Sequence, residues 1–451
     1  MPWRSLAAFA TRLRAWFADG ADRSIAQRMA GAAFAIRIGG AGLAYALQIL
    51  LARWMGSSEF GIFVYVWTWV MLIGALVDIG LASAAQRFIP QYTQRGERAH
   101  LRGYLAASRW LTFGIGTAVA VAGALVVHLL QPWLDEATLV PLAVACICLP
   151  VYGVMNVQDG IARSYNWAAL ALLPPYILRP LAVIALMGGA WLAGLPADAV
   201  TAIAIAAIAL WLTALGQTLL LNRRLRRTVE PGERRYAAKD WFAVSVPMFA
   251  IDGLYCLLMY IDILMLKAFV TPEDIGIYYA ASKTLALIVF VHFAVTSATA
   301  HRFSEYHVGG DRERLRAFLR DAVRWTFWPS LAAAMAFLAL GWPLLSLFGK
   351  TFVSGYPLMF IFAVGLLARA AIGPAGRFLV MLGEQRACAF VAAAALATNL
   401  VLNLLLIPPF GVTGAAVALS SAYMLESILL AAIARRRLGF HLFIFGGSRS
   451  G

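Results

Sequence analysis

Apolar runs of about 20 residues recur along the whole chain, separated by short polar breaks, and no other feature constrains the fold as strongly. A helix of that length crosses a hydrocarbon core about 30 Å thick. The runs lack the alternation of barrel strands, so helices are predicted to make the crossings. Of the 451 residues, 62% are hydrophobic and only 13% are charged, which excludes a soluble globular protein. The sequence therefore predicts an all-α polytopic membrane protein.

The chain is predicted to form about twelve transmembrane helices in two six-helix bundles. The predicted spans are 30–52, 61–89, 104–130, 138–161, 169–192, 198–221, 241–268, 275–300, 322–348, 356–380, 388–407 and 412–434. Basic residues collect in every second loop, most densely in 222–240, whereas loops such as 194–198 and 271–274 are nearly free of them. By the positive-inside rule both chain ends are predicted to be cytoplasmic, in the inner membrane of a bacterium.

The spans and charges divide the chain into five predicted regions. In order these are an amphipathic helix on the cytoplasmic leaflet, a first bundle, a basic cytoplasmic linker, a second bundle and a cytoplasmic tail: 1–29, 30–221, 222–240, 241–434 and 435–451. The net charge of +15 lies mainly beside apolar helices. It is therefore assigned to orientation and to contact with anionic membrane lipids, and no nucleic-acid partner is expected.

The second half of the chain repeats the first at an offset of 215 residues. Gly61-Ile62-Phe63 then matches Gly276-Ile277-Tyr278, and Gln86-Arg87-Phe88 matches His301-Arg302-Phe303. Six spans separate equivalent positions, so both halves have the same orientation and form parallel repeats about an axis along the membrane normal. Such a duplication predicts a two-bundle transporter with a cavity between its bundles.

Ionisable residues inside the predicted spans are the candidate site residues, because a charge at the bilayer centre costs about 3 kcal/mol. Four cations are predicted to line the cavity and to bind a pyrophosphate or an anionic glycan: Arg37, Arg179, Lys283 and Arg369. Four carboxylates are predicted to bind a coupling ion or to neutralise those cations: Asp78, Asp252, Asp262 and Glu426. Arg37 and Asp252 are repeat equivalents, and we expect an ion pair between them in one state. Alternatively, each charge pairs within its own bundle.

Prolines mark candidate hinges or cavity walls inside the spans. Pro174, Pro175 and Pro180 fall in the fifth predicted span, and Gly373-Pro374 falls in the tenth. Proline lacks the N–H that a helix needs, so each interrupts the backbone hydrogen bonds. Ordinary packing of membrane helices also tolerates prolines.

Several short motifs resemble a known family. Residues 52–61 (ARWMGSSEFG) and 78–81 (DIGL) resemble the opening of Wzx-like polysaccharide flippases, in the multidrug/oligosaccharidyl-lipid/polysaccharide (MOP) exporter superfamily. Residues 260–266 (YIDILML) with 276–281 (GIYYAA) resemble the start of the family's second bundle, and 411–416 (GVTGAA) its last helix pair.

The resemblance implies a flippase with the fold of multidrug and toxin extruders (MATE). Its substrate would be an undecaprenyl-pyrophosphate-linked oligosaccharide, an O-antigen or exopolysaccharide repeat unit, carried from the cytoplasmic to the periplasmic leaflet by alternating access. Na⁺ or H⁺ is the expected coupling ion. Membrane lipids and other polysaccharide-assembly membrane proteins are the expected partners, and no cofactor is expected.

Three other functions remain open at this point. A cation-coupled multidrug antiporter of the same superfamily would share the fold, but cationic drugs favour an acidic cavity, and the predicted cavity is basic. A membrane-embedded glycan polymerase or ligase would be expected to carry a large periplasmic loop, and every predicted outer loop is short. A scaffold subunit without transport activity is the third. Since no motif of catalytic or metal-ligating residues is present, the chain is not predicted to be an enzyme.

Overall fold

A computed structural model describes residues 22–133, 135–308 and 311–444, and the described residues form helices and no strands. Residues 1–21 of the predicted leaflet helix at 1–29 lie outside this part, as does the end of the predicted tail. The helices, numbered in chain order, are α1 Asp22–Leu76, α2 Leu81–Arg95, α3 Arg98–Leu129, α4 Glu136–Cys146, α5 Leu149–Ser164, α6 Ala168–Leu173, α7 Arg179–Leu192, α8 Ala199–Thr228, α9 Ala238–Leu266, α10 Pro272–Ala286, α11 Val289–Val308, α12 Arg312–Ala339, α13 Gly341–Ser346, α14 Tyr356–Ala370, α15 Ala375–Met381 and α16 Gln385–Ile433.

Within the described residues, eight helical segments are long and apolar enough to cross a membrane, or nine if the bent pair of α4 and α5 counts as one span. Two of the eight, Ala33–Arg95 and Gln385–Leu438, each cover two predicted spans. The predicted span 322–348 has no counterpart among these segments, because Arg324 and Pro329 make α12 less apolar. The all-α, multi-pass membrane fold is confirmed.

Glycines divide the two longest helices. Gly56 breaks α1 with a φ of 78°, and Gly411 breaks α16 with a φ of 54°. Only glycine adopts these left-handed conformations without steric cost, so each position lets the chain leave one span and enter the next without a long loop.

The two ends of the molecule are named by their loops. The end with the turns at 194–198, 271–274 and 408–411 is called the outer end, because the loop charges predict that it faces away from the cytoplasm. The opposite end, with the linker 222–240, is called the inner end.

At the outer end, α1 and α10 cross so closely that only glycine fits. A Cβ added to Gly61 would lie 1.6 Å from the carbonyl oxygen of Pro272, and one added to Gly276 would lie 2.9 Å from the carbonyl oxygen of Ser57. Since 57 and 272, and 61 and 276, are equivalent at the offset of 215, the two contacts are reciprocal. Reciprocal contacts of this kind are expected about a two-fold axis.

The apolar core is shared by the two halves at the outer end and divided at the inner end. Phe60 of α1 packs against Phe348 and Phe352 of the second half, within one cluster of buried residues that draws on both halves. Toward the inner end lie two separate clusters of buried residues. The members of one fall between positions 81 and 241, and those of the other fall between positions 303 and 442. Trp241, in the first turn of α9, is the second-half residue buried in the first of these clusters.

Candidate functional site

The first half encloses a cavity of about 360 Å³ between α1, α5 and the segment that joins α6 to α7. Its wall combines aromatic, amide and charged side chains, among them Gln48, Trp67, Asn156, Asp159, Tyr176 and Arg179. Tyr279 of α10 is the contribution of the second half to this wall. The cavity therefore lies where the two halves meet.

Arg179 enters the cavity from the first turn of α7. It follows a wide π-helical turn, Pro174–Leu178, which confirms that the prolines of this span distort its backbone. A proline lacks the N–H that would close an ordinary helical turn, and π-type turns often occur at functional sites. The guanidinium carbon of Arg179 lies 6.0 Å from the ring centre of Trp67 and 5.8 Å from that of Tyr152. These cation–π contacts hold the charge at the cavity wall.

Two more of the predicted cations reach this wall through aromatic rings. The guanidinium carbon of Arg37 lies 5.6 Å from the ring centre of Tyr176, and Nζ of Lys283 lies 5.1 Å from that of Tyr279. Both rings line the cavity. The fold thus gathers Arg37, Arg179 and Lys283 around one space, although they come from α1, α7 and α10.

Asp159 belongs to the same cavity and was not among the predicted site residues. Its carboxylate accepts a hydrogen bond of 3.0 Å from Nε of Arg163, and Arg37 is close enough to interact with it electrostatically. The sequence could have indicated Asp159, because it is a carboxylate inside the predicted span 138–161. Gln48 was also missed, and its side-chain oxygen is buried with no hydrogen-bond partner among the described residues.

Arg369, the fourth predicted cation, lies in a different pocket, in the second half. Its Nε is 3.4 Å from a carboxylate oxygen of Glu426, and its guanidinium carbon is 4.6 Å from the ring centre of Tyr423. The pocket has a volume of about 280 Å³ and also contains His292 and Arg377. The structure therefore pairs Arg369 with Glu426 inside one half and does not bring it to the other three cations.

Asp262 is buried within a cluster of neutral donors in the second half. Its carboxylate accepts hydrogen bonds from the Tyr278 hydroxyl at 3.1 Å and from the Asn403 amide at 2.8 Å. Asn399 lies one turn before Asn403 and accepts a further bond from it at 2.9 Å. The amide nitrogen of Asn399 and the amide oxygen of Asn403 are buried with no hydrogen-bond partner among the described residues. The two asparagines were not predicted, since amides in a membrane helix carry no charge signal.

Asp78 and Asp252 lie where α2 and α9 approach each other. The Asp78 carboxylate accepts a hydrogen bond of 2.9 Å from the Gly80 amide, in a turn where Ile79 has a φ of 48° and Gly80 a φ of 75°. The Asp252 carboxylate accepts a bond of 3.1 Å from the Ser83 hydroxyl. Asp78 thus holds the turn between two helices, and Asp252 links the two halves. The structure places Arg37 against Tyr176, so the predicted pair of Arg37 and Asp252 stays a prediction.

Residues 29–307 match the family described as polysaccharide biosynthesis protein. The chain belongs to this family. The match covers the first half, the linker and the start of the second half, and it confirms the resemblance found in the motifs.

A curated relative and two solved structures agree with this placement. The chain is 22% identical over 401 residues to the probable low-salt glycan biosynthesis flippase Agl15 of Haloferax volcanii, covering 88% of this chain and 80% of that protein. An inward-facing multidrug resistance transporter of the MATE family, MOP superfamily, has a TM-score of 0.71 at 15% identity and covers 88% of this chain and 94% of its own. The lipid II flippase MurJ, in an inward closed conformation, has a TM-score of 0.69 at 15% identity and covers 90% and 87%. The MOP fold is confirmed.

Proposed function

We propose that this protein is a flippase that carries an undecaprenyl-pyrophosphate-linked oligosaccharide across the bacterial inner membrane, from the cytoplasmic to the periplasmic leaflet. The single observation that carries the proposal is the cavity walled by Arg179, with Arg37 and Lys283 held against two of its aromatic wall residues, Tyr176 and Tyr279. The name of the Haloferax relative, a glycan biosynthesis flippase, supports the same class of function.

The cavity suits an anionic headgroup that carries sugars. Guanidinium groups bind phosphate oxygens through paired hydrogen bonds, and a partly dehydrated cavity strengthens such charge-assisted bonds. Tyr152, Tyr176 and Trp67 add amphipathic rings, and Gln48 and Asn156 add amides that can bond to sugar hydroxyls. A phosphate and a neutral sugar chain would therefore both find partners here.

Transport is proposed to occur by alternating access. The shared core at the outer end closes the molecule there, while the divided cores at the inner end let the halves separate. In the proposed orientation, with both chain ends in the cytoplasm, this arrangement admits a substrate from the cytoplasmic leaflet. Rocking about the two-fold contact of Gly61 and Gly276 would then open the outer end.

Asp262 is proposed as the binding residue for a coupling cation. A buried carboxylate with amide groups around it offers oxygen ligands, and the amide oxygen of Asn403 has no hydrogen-bond partner among the described residues. An ionisable group buried in a membrane helix is in general a candidate for ion or proton binding. Asn403 and Tyr278 come from two other helices, so a bound ion would tie α9 to α10 and α16.

The multidrug antiporter is the second candidate, because the MATE transporter shares the fold. A cationic drug would meet Arg179 in the cavity, with Arg37 and Lys283 next to its aromatic wall, and like charges repel strongly where water is scarce. The cavity therefore favours an anionic substrate over a cationic one.

A transport assay in liposomes separates these functions. The protein is reconstituted with a fluorescent polyprenyl-pyrophosphate oligosaccharide, and the transfer of label between leaflets is followed with and without Na⁺ or pH gradients. Arg179→Ala is expected to lower the rate by about tenfold or more, since one charge-assisted contact to phosphate is lost. Arg386→Ala, a matched change in an exposed predicted loop, should leave it unchanged. Efflux of a cationic dye without lipid transfer would contradict the proposal.

The coupling ion is tested in the same liposomes. Asp262→Asn is expected to abolish the dependence of the rate on the ion gradient, because the carboxylate of that cluster is removed. Glu136→Gln, an exposed carboxylate in the first turn of α4, is the control and should keep the dependence. If Asp262→Asn responds to the gradient like the unchanged protein, the coupling ion binds elsewhere.

A further inference from the structure

A second, lipid-facing groove lies on the first half, outside the proposed transport cavity. It has a volume of about 340 Å³ and lies between α3, α5 and α8. Two tryptophans form its rim, Trp110 with 74% and Trp211 with 41% of its surface exposed. Both belong to membrane-spanning helices, so the groove opens toward the bilayer. The Trp211 indole N–H donates to the Ile147 carbonyl at 3.2 Å, which fixes this side of the rim.

The floor of the groove is polar, which is costly for a surface that faces lipid. Gln158 is fully buried, and its amide donates to the Thr218 hydroxyl at 2.7 Å. Its side-chain oxygen has no hydrogen-bond partner among the described residues. Arg109 donates to the side-chain oxygen of Asn222 at 2.6 Å. Apolar lipid chains alone would leave this floor poorly solvated, so a ligand with polar atoms fits it better.

Arg109 is directed toward the inner end of the molecule. Its Nε donates to the Leu105 carbonyl at 2.8 Å, one turn nearer the start of α3. Predicted span 104–130 starts five residues before Arg109, about 8 Å along the helix. Long basic side chains at this depth reach the headgroup region.

The basic linker lies near the same side of α3. The Arg235 amide donates to the Ala99 carbonyl at 3.0 Å, and Arg102 donates to the Glu233 carbonyl at 2.8 Å. These bonds hold the linker so that Arg234 interacts electrostatically with Arg109. The inner end of the groove therefore has a positive potential, which attracts anionic headgroups.

The corresponding helices of the second half form a different groove. It has a volume of about 670 Å³, lies between α12, α14 and α16, and is lined mainly by apolar side chains such as Phe327 and Ile428, with Arg435 and His441 at one side. Arg324, the repeat equivalent of Arg109, is exposed. Leu442 and Phe443, near the chain end, also line this groove. The two grooves share a position in the repeat and differ in their floors, which supplies a matched control.

From these observations we infer that the groove between α3, α5 and α8 is a binding site for an anionic phospholipid of the inner leaflet. The phosphate lies against Arg109 and the amide of Asn222, and an acyl chain lies along Trp110, Phe113 and Trp211. An ester carbonyl of the glycerol region accepts from the second N–H of the Gln158 amide, whose first N–H donates to Thr218. This site is separate from the transport cavity and does not depend on the proposed substrate.

Native mass spectrometry of the purified full chain tests this site. The protein is exchanged into detergent with equal amounts of phosphatidylglycerol and phosphatidylcholine, and the retained lipids are counted. The unchanged protein should retain phosphatidylglycerol preferentially. Arg109→Gln should weaken this retention about tenfold, because a charge-assisted contact to phosphate is lost. Arg109→Lys should keep most of it, and Gln158→Leu should lower it by severalfold without changing the charge.

Arg324→Gln is the matched control and should retain phosphatidylglycerol like the unchanged protein. The site would be overturned if Arg109→Gln and Arg324→Gln retained the same amount of phosphatidylglycerol, whether both variants kept the lipid or both lost it. A polyprenyl pyrophosphate that displaces phosphatidylglycerol only when Arg109 is present would assign the groove to the transported lipid and would also overturn it. Lipid transfer in liposomes is scored separately, so failure of the transport proposal leaves this test intact.

Discussion

The outer and inner ends of the molecule are built from the same helices but hold the two halves together in different ways. At the outer end, aromatic residues of both halves share one core, and the Ser57 hydroxyl donates to the Glu273 carboxylate at 3.0 Å. At the inner end there are two separate cores, with Trp241 as the second-half residue buried in the first, and α11 packs with α12 and α15. The alternating access proposed above requires such a contrast, with the outer end sealed by the shared core.

Charged residues at the outer end belong to this seal. Arg53 and Lys350 are basic residues in predicted outer loops, against the positive-inside pattern. The Arg53 guanidinium donates to the carbonyls of Ser346 and Leu347, at 3.1 Å and 2.6 Å. These are carbonyls at the end of α13, where the helix dipole favours a cation. Lys267 likewise bonds to Asp135 across the halves, at 2.9 Å. Two of these outer cations therefore serve the contact between the halves.

The largest expected effect comes from locking the outer end shut. In a protein whose four cysteines are replaced by alanine, Ser57→Cys with Glu273→Cys is joined by a short bifunctional thiol reagent. The seal then cannot open, so lipid transfer in liposomes should stop, and a reagent with a cleavable linker should restore it on cleavage. Each single cysteine variant, treated in the same way, is the control. Full transport after complete cross-linking would show that the outer end does not open.

A smaller effect is expected from preventing tight closure of the same end. Gly61→Ala places a methyl group where the Pro272 carbonyl oxygen lies, so α1 and α10 must separate. Lipid transfer should fall severalfold, and the thermal unfolding temperature in detergent should drop, because close helix contacts in membranes depend on small residues. Gly42→Ala lies in the part of α1 before the break at Gly56, where no described atom outside the local helix backbone is within 4 Å of its Cβ, and should change neither value. Equal behaviour of the two variants would contradict the role given to this crossing.

The smallest effect is energetic coupling within the shared core. Phe60 and Phe352 come from different halves, and their ring centres lie 5.8 Å apart in an edge-to-face arrangement. A double-mutant cycle with leucine at both positions should give a coupling of about 1 kcal/mol in the free energy of unfolding. Ile161 and Phe378, one in each inner core, should instead show additive effects when replaced by alanine. Coupling of the second pair as strong as that of the first would remove the distinction between the two ends.

The sequence predicted the candidate charges better than their partners. Arg37, Arg179 and Lys283 were assigned to one cavity, and the structure brings them to one space through aromatic rings. Arg369 was assigned to the same cavity, but in the structure it pairs with Glu426 inside the second half, away from the other three cations. Asp159, Gln48 and Asn403 were missed. A charge in an apolar run stands out in any sequence, whereas an amide, or a carboxylate near the end of a span, looks like ordinary polar background.

The sequence by itself determined that the chain crosses a membrane many times and that its halves are repeats. Both properties follow from hydropathy and spacing, which are local along the chain and need no knowledge of contacts. Tertiary structure alone decided which polar groups meet. Asp262 accepts a hydrogen bond from Asn403, 141 residues further along the chain, and Arg179 of α7 lies over the ring of Trp67 in α1. Which face each helix turns toward its neighbours depends on packing with every other helix, and that information is not contained in any single segment.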